Sequence, residues 1–298
     1  MIMKSILPKI IFFGTEKLSL IVLKKLVTSG YDILAVVTKP DQPSGRGRQI
    51  KQPAIKIFAT NHNIPVWQPA KLSEITDKVH SLSEKPIGVL ASYGKILPQE
   101  TLDLFDPGII NLHPSLLPKY RGPSPIEAAI LNNDDKTGVS IMLLQSKMDA
   151  GPIYSQKELH LTGQETKPEL HDTLANIGAD LIAEILPNIA SGELSLQPQN
   201  EESATYCHLI KKEDGLIDPS ITTAAQAERQ VRAYLDYPKS KITVEGHTIL
   251  ILSANVAQES NSPLYVTCQD GQYLSVRSLI APSGKTMSSE EFIRGYLS

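Results

Sequence analysis

The sequence predicts an α/β protein with a Rossmann-like, mostly parallel sheet in its N-terminal part and a smaller OB-like β-barrel in its C-terminal part. Three observations support this prediction. The N-terminal residues read strand, helix, strand, which is the start of a doubly wound sheet. From residue 241 onward, short strands alternate with Gly and Asn turns, which is typical of a small barrel. A length of 298 residues with 41% hydrophobic content suffices for buried cores in two domains.

Charge and cysteine content narrow the class of protein. The net charge of −3 lacks the basic excess that is typical of nucleic-acid binding, so any such contact must depend on local charge. Cys207 and Cys268 lie far apart, which excludes a disulfide framework and a thiolate metal site. No apolar run reaches membrane-spanning length, and the N-terminal apolar run is too short for a signal peptide. We therefore expect a soluble, cytoplasmic protein with no metal and no membrane contact.

The first strand, helix and second strand can be placed from the spacing of apolar residues. Residues 9–13 (KIIFF) form an apolar run that Gly14 closes, apolar residues then recur at helical spacing from 18 to 26, and residues 32–38 (DILAVVT) form the next buried strand. Gly14 could belong to a dinucleotide-binding turn. The segment lacks the G-x-G-x-x-G pattern, however, so we expect a Rossmann-like fold that does not bind NAD.

A basic segment follows the second strand. Residues 39–52 (KPDQPSGRGRQIKQ) contain two Pro, two Gly and almost no apolar residue, which predicts an exposed flexible loop. The loop lies at the edge where open α/β sheets bind ligands, so Arg46, Arg48 and Lys51 are candidates for holding a phosphate backbone. The alternative is a charged loop that only contacts solvent.

Residues 87–91 (IGVLA) predict a central strand that leads into the segment SYGKILP. In that segment Gly94 permits a close approach of the backbone to a ligand, and Ile96 and Leu97 can line an apolar slot. The alternative is a turn that packs under a helix.

Residues 109–120 (IINLHPSLLPKY) carry the strongest candidate site. Side chains alternate along a strand, so Asn111 and His113 project from the same face. The prolines that follow end the strand at the imidazole and start a rigid loop. An amide and an imidazole, with Asp149 in a later loop, can transfer protons and stabilise an oxyanion. The alternatives are a histidine that is merely hydrogen-bonded and an aspartate that only forms a turn.

The remaining elements complete two domains. Ser124 is expected to cap a helix at 126–131, and Pro125 lies in its first turn. Strands are predicted at 138–144 and 153–160, on both sides of Asp149, and an amphipathic helix closes the first domain. We predict a catalytic domain at 1–190, a polar linker at 191–205 and the barrel domain at 206–298. The second domain contains a helix at 224–234 and strands at 241–244, 248–252, 264–267 and 272–279.

Two groups of motifs in the chain resemble the folate-dependent formyltransferases. The first group is NLH at 111–113, SLLP at 115–118, YRG at 120–122, TGV at 137–139 and MDAG at 148–151. The second group is similar to the branch of the family that acts on methionyl-tRNA, and consists of KPD at 39–41, GRGR at 45–48, TY at 205–206, IKKE at 210–213 and PSGKTMS at 282–288. The chain departs from the family at Glu16-Lys17-Leu18, where a proline and a nearby aromatic residue are usual, and it lacks the tryptophan common beside Pro238.

The resemblance implies transfer of the formyl group of 10-formyltetrahydrofolate to the α-amine of methionyl initiator tRNA, which gives N-formylmethionyl-tRNA for translation initiation. Asn111 and protonated His113 would face the oxyanion, and Asp149 would hold the imidazole and pass on the amine proton through water. The C-terminal domain would bind tRNA, together with Arg46, Arg48 and Lys51. The residues that would hold the folate are Ser115, Leu116, Leu117, Pro118, Ile87, Tyr93, Gly94, Ile96 and Leu97.

We further expect a monomer and no metal. Two alternatives stay open: a formyltransferase that acts on a small amine such as an amino-sugar nucleotide, and a binding protein for folate or tRNA that has lost catalysis.

Overall fold

A computed structural model describes residues 7–44, 49–259 and 263–297, and shows the predicted fold class. Arg46 and Arg48 lie outside the described residues. The described residues form two compact units. The first comprises those within 1–121, 138–159 and 171–206, and the second those within 122–137, 160–170 and 207–298. The sequence-based division at 190 and 206 stays a prediction.

The first unit is built on a seven-stranded sheet with the order β5-β2-β1-β6-β7-β8-β9. Its strands are β1 (Lys9–Gly14), β2 (Asp32–Val37), β5 (Val66–Trp67), β6 (Ile87–Ala91), β7 (Ile109–His113), β8 (Lys136–Leu143) and β9 (Ile153–His160). The strands from β5 to β7 are parallel, and β8 runs antiparallel to β7. Strand order reverses at β1, so the sheet is doubly wound, as predicted.

Apolar side chains explain why the first helix forms and where it ends. In α1 (Lys17–Thr28), Leu18, Val22 and Leu26 are buried at helical spacing. The helix stops at Gly30, whose φ of +85° costs a glycine little, and its N–H donates to the Val27 carbonyl. Further helices are α2 (Ala54–Asn61), α3 (Ser73–His80), α4 (Gln99–Leu102) and α6 (Lys167–Ala190).

Two segments are more regular than the sequence indicated. The predicted flexible loop contains a short antiparallel hairpin of β3 (Gln42–Ser44) and β4 (Gln49–Lys51). The base of this hairpin is held by the Asp41 carboxylate, which accepts hydrogen bonds from Gln68 at 2.7 Å and from Lys56 at 2.8 Å. These two bonds lower the pKa of Asp41, with that from Gln68 contributing most. Residues 64–67 (IPVW) are mostly apolar and include a proline, which predicts an irregular edge segment; residues 66–67 instead form the strand β5, at the edge of the sheet.

The second unit contains a five-stranded antiparallel sheet. Its strands are β10 (Ser240–Val244), β11 (His247–Ala257), β12 (Tyr265–Thr267), β13 (Tyr273–Ile280) and β14 (Thr286–Ser288). The unit also includes α5 (Pro125–Leu131), α7 (Ala224–Ala233) and α8 (Ser289–Phe292). Apolar residues of α7, such as Val231, are buried with Ile249, Leu274 and Phe292 in one core.

The predicted cap of α5 is wrong in one respect. Ser124 occupies the N-cap position and Pro125 the first turn, but the Ser124 hydroxyl makes no capping bond. It donates instead to the carbonyl of His208, which lies distant in sequence. A cap would require the hydroxyl oxygen to accept from a backbone N–H of the first turn. The hydroxyl is turned toward His208 instead, a tertiary contact that the local sequence pattern does not show.

Tyr93→Phe is expected to leave the free energy of unfolding unchanged or to raise it by up to about 2 kcal/mol, since a buried polar group without a partner is unfavourable. The Tyr93 hydroxyl is fully buried and has no hydrogen-bond partner in the described part of the chain. Burial raises its pKa to about 12. The edge-on contact of the ring with Phe13 is kept in the variant. Urea denaturation measures the effect.

Tyr31→Phe is the matched control. The Tyr31 hydroxyl donates to the Ala183 carbonyl at 2.7 Å, so its removal is expected to cost about 1 kcal/mol. Equal losses in the two variants would contradict the assignment of Tyr93 as an unpaired hydroxyl.

Candidate functional site

The candidate site lies where the parallel strands of the first unit end. Gly14 of β1 is aligned with Ala91 of β6, and Leu90 of β6 with Asn111 of β7. Asn111 and His113 are 5% and 4% exposed and share one face of β7, because two residues separate them along the strand. The structure therefore brings both predicted polar groups to the carboxyl edge of the sheet, the usual ligand-binding edge of such folds.

Two contacts orient the imidazole of His113. Its Nε2 lies 2.9 Å from the carbonyl oxygen of Tyr120, and since a carbonyl can only accept, Nε2 carries a hydrogen. Nδ1 lies 3.8 Å from Oδ2 of Asp149, which is longer than a direct hydrogen bond. Asp149 has a φ of +46°, a left-handed conformation that aspartate tolerates better than most residues. The backbone thus fixes which nitrogen of His113 faces the carboxylate.

The loop of residues 115–118 is held by a side-chain network that sequence reasoning missed. The hydroxyl of Ser140 lies on β8 in register with His113, and it donates to the Ser115 carbonyl at 2.7 Å. It also accepts from the Leu117 amide at 3.0 Å and from Gln156 Nε2 at 2.8 Å, while Gln156 donates to the Leu117 carbonyl at 2.9 Å. The backbone of this loop is therefore preorganised. Ser140 lies in an apolar strand and Gln156 in an ordinary exposed polar run, so neither pattern indicated the network.

The structure places the predicted folate residues in several different surroundings. The backbone of Gly94, with a φ of +69°, and the side chain of Ile96, 77% exposed, are accessible. Tyr93 and Leu97 are buried in the core of the first unit, as Leu117 is in a smaller cluster of the same unit. Ile87 begins β6, at the opposite end of that strand from Ala91, so the structure does not bring it to this edge. Ser115 is buried and donates its hydroxyl to the Lys119 carbonyl, while Leu116 and Pro118 are half-buried.

The Lys39 amine lies over Gly94. A Cβ added to Gly94 would lie 2.5 Å from Lys39 Nζ, but this is the end of a flexible side chain that can move, so the φ of +69° is the reason that glycine suits this position. Lys51 is the last residue of β4 and is exposed.

Arg121 is fully buried and organises the segment that the sequence suggested was a linker. Its guanidinium donates to Gln199 at 2.8 and 3.0 Å, to Glu201 at 2.7 Å and to the Tyr206 hydroxyl at 3.2 Å. The bond with Glu201 raises the pKa of Arg121, and the bond with Arg121 lowers the pKa of Glu201 to about 2. Gln197 also pairs with Ile153 of β9. Residues 197–206 are therefore part of the first unit.

Within the ranges that the structure describes, no group of three or more His, Cys, Asp or Glu side chains is placed to hold a metal ion. In the same ranges, no helix has both the length and the apolar character that crossing a membrane requires.

Two family profiles match the sequence. The profile described as Formyl transferase matches residues 8–186, and the profile described as Formyl transferase, C-terminal domain, matches residues 209–297. Residues 187–208, which contain Gln199 and Glu201, lie between the two matches.

Curated relatives cover most of the chain. A methionyl-tRNA formyltransferase of Chloroflexus aurantiacus is 43% identical over 251 residues, which cover 84% of this chain and 80% of the relative. A methionyl-tRNA formyltransferase of Sulfurihydrogenibium sp. is 36% identical over 304 residues, which cover 97% of both chains.

Solved structures share the fold. An N-formyltransferase of Helicobacter canadensis, in complex with folinic acid and dTDP-3-aminofucose, has a TM-score of 0.67 at 18% identity and covers 91% of this chain and 99% of its own. HypX of Aquifex aeolicus, in complex with tetrahydrofolic acid, also has a TM-score of 0.67, at 14% identity, and covers 98% of this chain and 48% of its own.

Proposed function

Since the chain belongs to the formyltransferase family, we propose that it transfers the formyl group of 10-formyltetrahydrofolate to the α-amine of methionyl initiator tRNA. The observation that carries this proposal is the full-length similarity to methionyl-tRNA formyltransferases, which extends through the second family match as well as the first. The arrangement of Asn111, His113 and Asp149 supports the same chemistry.

The reaction creates two charges, and the site must stabilise one and neutralise the other. Attack of the neutral amine on the formyl carbon forms a C–N bond and leaves a tetrahedral centre with an oxyanion and an ammonium group. The Asn111 amide and the imidazolium of His113 stabilise the oxyanion as hydrogen-bond donors. Because Nε2 is bonded to the Tyr120 carbonyl, the proton offered to the oxyanion is that on Nδ1. The 3.8 Å separation from Asp149 leaves this proton available.

Asp149 takes up the proton that the ammonium group loses, through a bridging water. The tetrahedral centre then collapses, and the bond between the formyl carbon and N10 breaks with its electron pair left on N10. N10 takes up the proton that Asp149 had accepted, passed on through water. The products are formylmethionyl-tRNA and tetrahydrofolate. Asp149 thus carries the proton released by the amine, and the same carboxylate faces the imidazole of His113.

The loop of residues 115–118 and the accessible backbone at Gly94 hold the folate. Backbone amides and carbonyls suit the donor and acceptor edge of a pterin, and Ile96 adds exposed apolar surface. Arg46, Arg48 and Lys51 contact phosphates of the tRNA, with support from the basic composition of this segment. The protein acts as a monomer in this proposal.

Formylation of methionyl initiator tRNA by the purified protein, with 10-formyltetrahydrofolate as the donor, tests the proposal. We expect N-formylmethionyl-tRNA to accumulate with multiple turnovers. A parallel reaction contains a dTDP-linked 3-amino sugar as the acceptor, because the Helicobacter canadensis structure with such a ligand shares the fold. Product only in the second reaction would favour the small-amine alternative. Binding of folate without product in either reaction would favour a non-catalytic protein.

A further inference from the structure

The amide of Gln199 uses all of its hydrogen-bonding capacity within the first unit. Its Oε1 accepts two bonds from Arg121, from Nε at 3.0 Å and from Nη2 at 2.8 Å. Its Nε2 donates to the carbonyl of Asp149 at 2.8 Å and to the carbonyl of Gly151 at 2.7 Å. The side chain therefore connects a buried cation to the backbone on both sides of Ala150.

Arg121 fixes the direction of this amide. A guanidinium has five donors and no acceptor, so only the oxygen of Gln199 can face it. A flipped amide would place its NH₂ group against the guanidinium and its oxygen against two carbonyl oxygens, which would remove all four bonds. Because Arg121 is fully buried, its guanidinium is fixed in position, and the two bonds from it hold the Gln199 amide in one orientation.

The loop that carries Asp149 depends on contacts such as the two bonds from Gln199 to keep its conformation. Residues 145–148 are exposed, Asp149 has a φ of +46°, and Gly151 passes beneath the Leu143 carbonyl. A residue keeps a sparsely populated backbone conformation only where contacts with the surrounding structure hold it there. The two bonds from Gln199 determine the backbone at Asp149 and Gly151, and thereby the direction in which the carboxylate projects.

The same arginine adjoins the residue that orients the imidazole. The Tyr120 carbonyl accepts from His113 Nε2, and Arg121 follows Tyr120 directly in the chain. The imidazole and the carboxylate therefore have a common support: Tyr120 on the side of His113, and Arg121 with Gln199 on the side of Asp149.

We propose that Gln199 is a positioning residue, which sets the orientation of the Asp149 carboxylate relative to His113 by holding the Asp149 and Gly151 carbonyls. This proposal rests on the proposed formyl transfer for its kinetic consequence. Gln199 does not touch the reacting atoms; it acts through the backbone of the loop that bears Asp149.

Gln199→Glu is the decisive variant. The carboxylate keeps the length of the side chain and still accepts from Arg121, but it cannot donate to the two carbonyls. We expect kcat for formylation of methionyl-tRNA to fall about 10- to 100-fold, the range that a small displacement of a catalytic group produces. KM for both substrates is expected to stay within about 2-fold, because uniform binding is not altered. Gln199→Met, which has a similar length and neither donor nor acceptor, is expected to lower kcat similarly.

Tyr206→Phe is the matched control. It also removes a partner of the Arg121 guanidinium, at 3.2 Å, but it leaves the bonds from Gln199 to the Asp149 and Gly151 carbonyls in place, and its ring stays near the guanidinium. We expect kcat of this variant to stay within about 2-fold of the original protein, since only one exposed bond is lost. A fall in kcat equal to that of Gln199→Glu would assign the effect to the Arg121 network as a whole and overturn the proposal.

Crystal structures of the variants give a readout that requires no substrate. In Gln199→Glu and Gln199→Met, the distance between His113 Nδ1 and Asp149 Oδ2 is expected to increase beyond 3.8 Å, while Tyr206→Phe preserves it. An unchanged distance, or an unchanged kcat, in both Gln199 variants would overturn the positioning role. If the original protein formylates no acceptor, the proposed function fails, and the distance alone decides the role of Gln199.

Discussion

His113→Ala is expected to lower the rate of formyl transfer by about 100- to 1000-fold, the loss that follows removal of one oxyanion donor. The imidazole is 4% exposed and its Nε2 donates to the Tyr120 carbonyl, so alanine at this position removes a donor that the surrounding structure holds in place. Single-turnover kinetics with methionyl-tRNA measure the chemical step. A filter-binding assay measures whether the affinity for the tRNA stays within about 2-fold, as expected for a group that acts on the transition state.

His80→Ala serves as the control for this prediction. His80 is the last residue of α3 and is exposed, so its removal is expected to change neither the rate nor the stability of the protein. A His113→Ala variant that turns over at a near-normal rate would remove His113 from the mechanism and leave Asn111 as the main candidate for stabilising the oxyanion.

Gly151→Ala is expected to reduce both stability and activity. A Cβ at this position would lie 1.9 Å from the Leu143 carbonyl oxygen, and that oxygen belongs to the backbone of β8. The strand or the loop must therefore shift, and we expect the free energy of unfolding to fall by about 2–3 kcal/mol, as for other overpacked sites. Because Asp149 is two residues away, kcat should fall as well. Urea denaturation and formylation kinetics provide the two measurements.

Gly295→Ala is the matched glycine control. A Cβ at Gly295 would meet nothing within 4 Å, and the residue lies in a helix, so the same chemical change should leave the free energy of unfolding unchanged or raise it by up to about 1 kcal/mol. If Gly151→Ala is as stable as Gly295→Ala, the loop that bears Asp149 adapts more readily than its contacts indicate.

The sequence was sufficient to predict the features that depend on local periodicity. Asn111 and His113 could be assigned to one face because side chains alternate along a strand, and the parallel start of the sheet followed from the order of its apolar runs. Gly30 follows the end of α1 for a local reason as well, since its positive φ costs a glycine little.

Other features depend on contacts between residues distant in sequence, and the pattern around each residue gave no sign of them. Gln199 lies in a polar stretch that resembles a linker, yet its amide reaches Asp149 and Arg121. Ser140 lies in an apolar strand, where its hydroxyl serves the loop after His113. Ile87 belongs to the strand that leads to the site, but it is buried at the other end of that strand, a placement that the apolar run alone did not indicate.

The buried arginine also limits how this protein can be divided or recombined. A fragment that ended at residue 190 would contain His113 and Asp149 but would lose the partners of Arg121, and a guanidinium stripped of its acceptors is costly to keep in an apolar interior. Any chimera that joins this catalytic sheet to a different C-terminal domain should therefore retain the chain through Tyr206. The segment between the two family matches is, up to residue 206, part of the first unit.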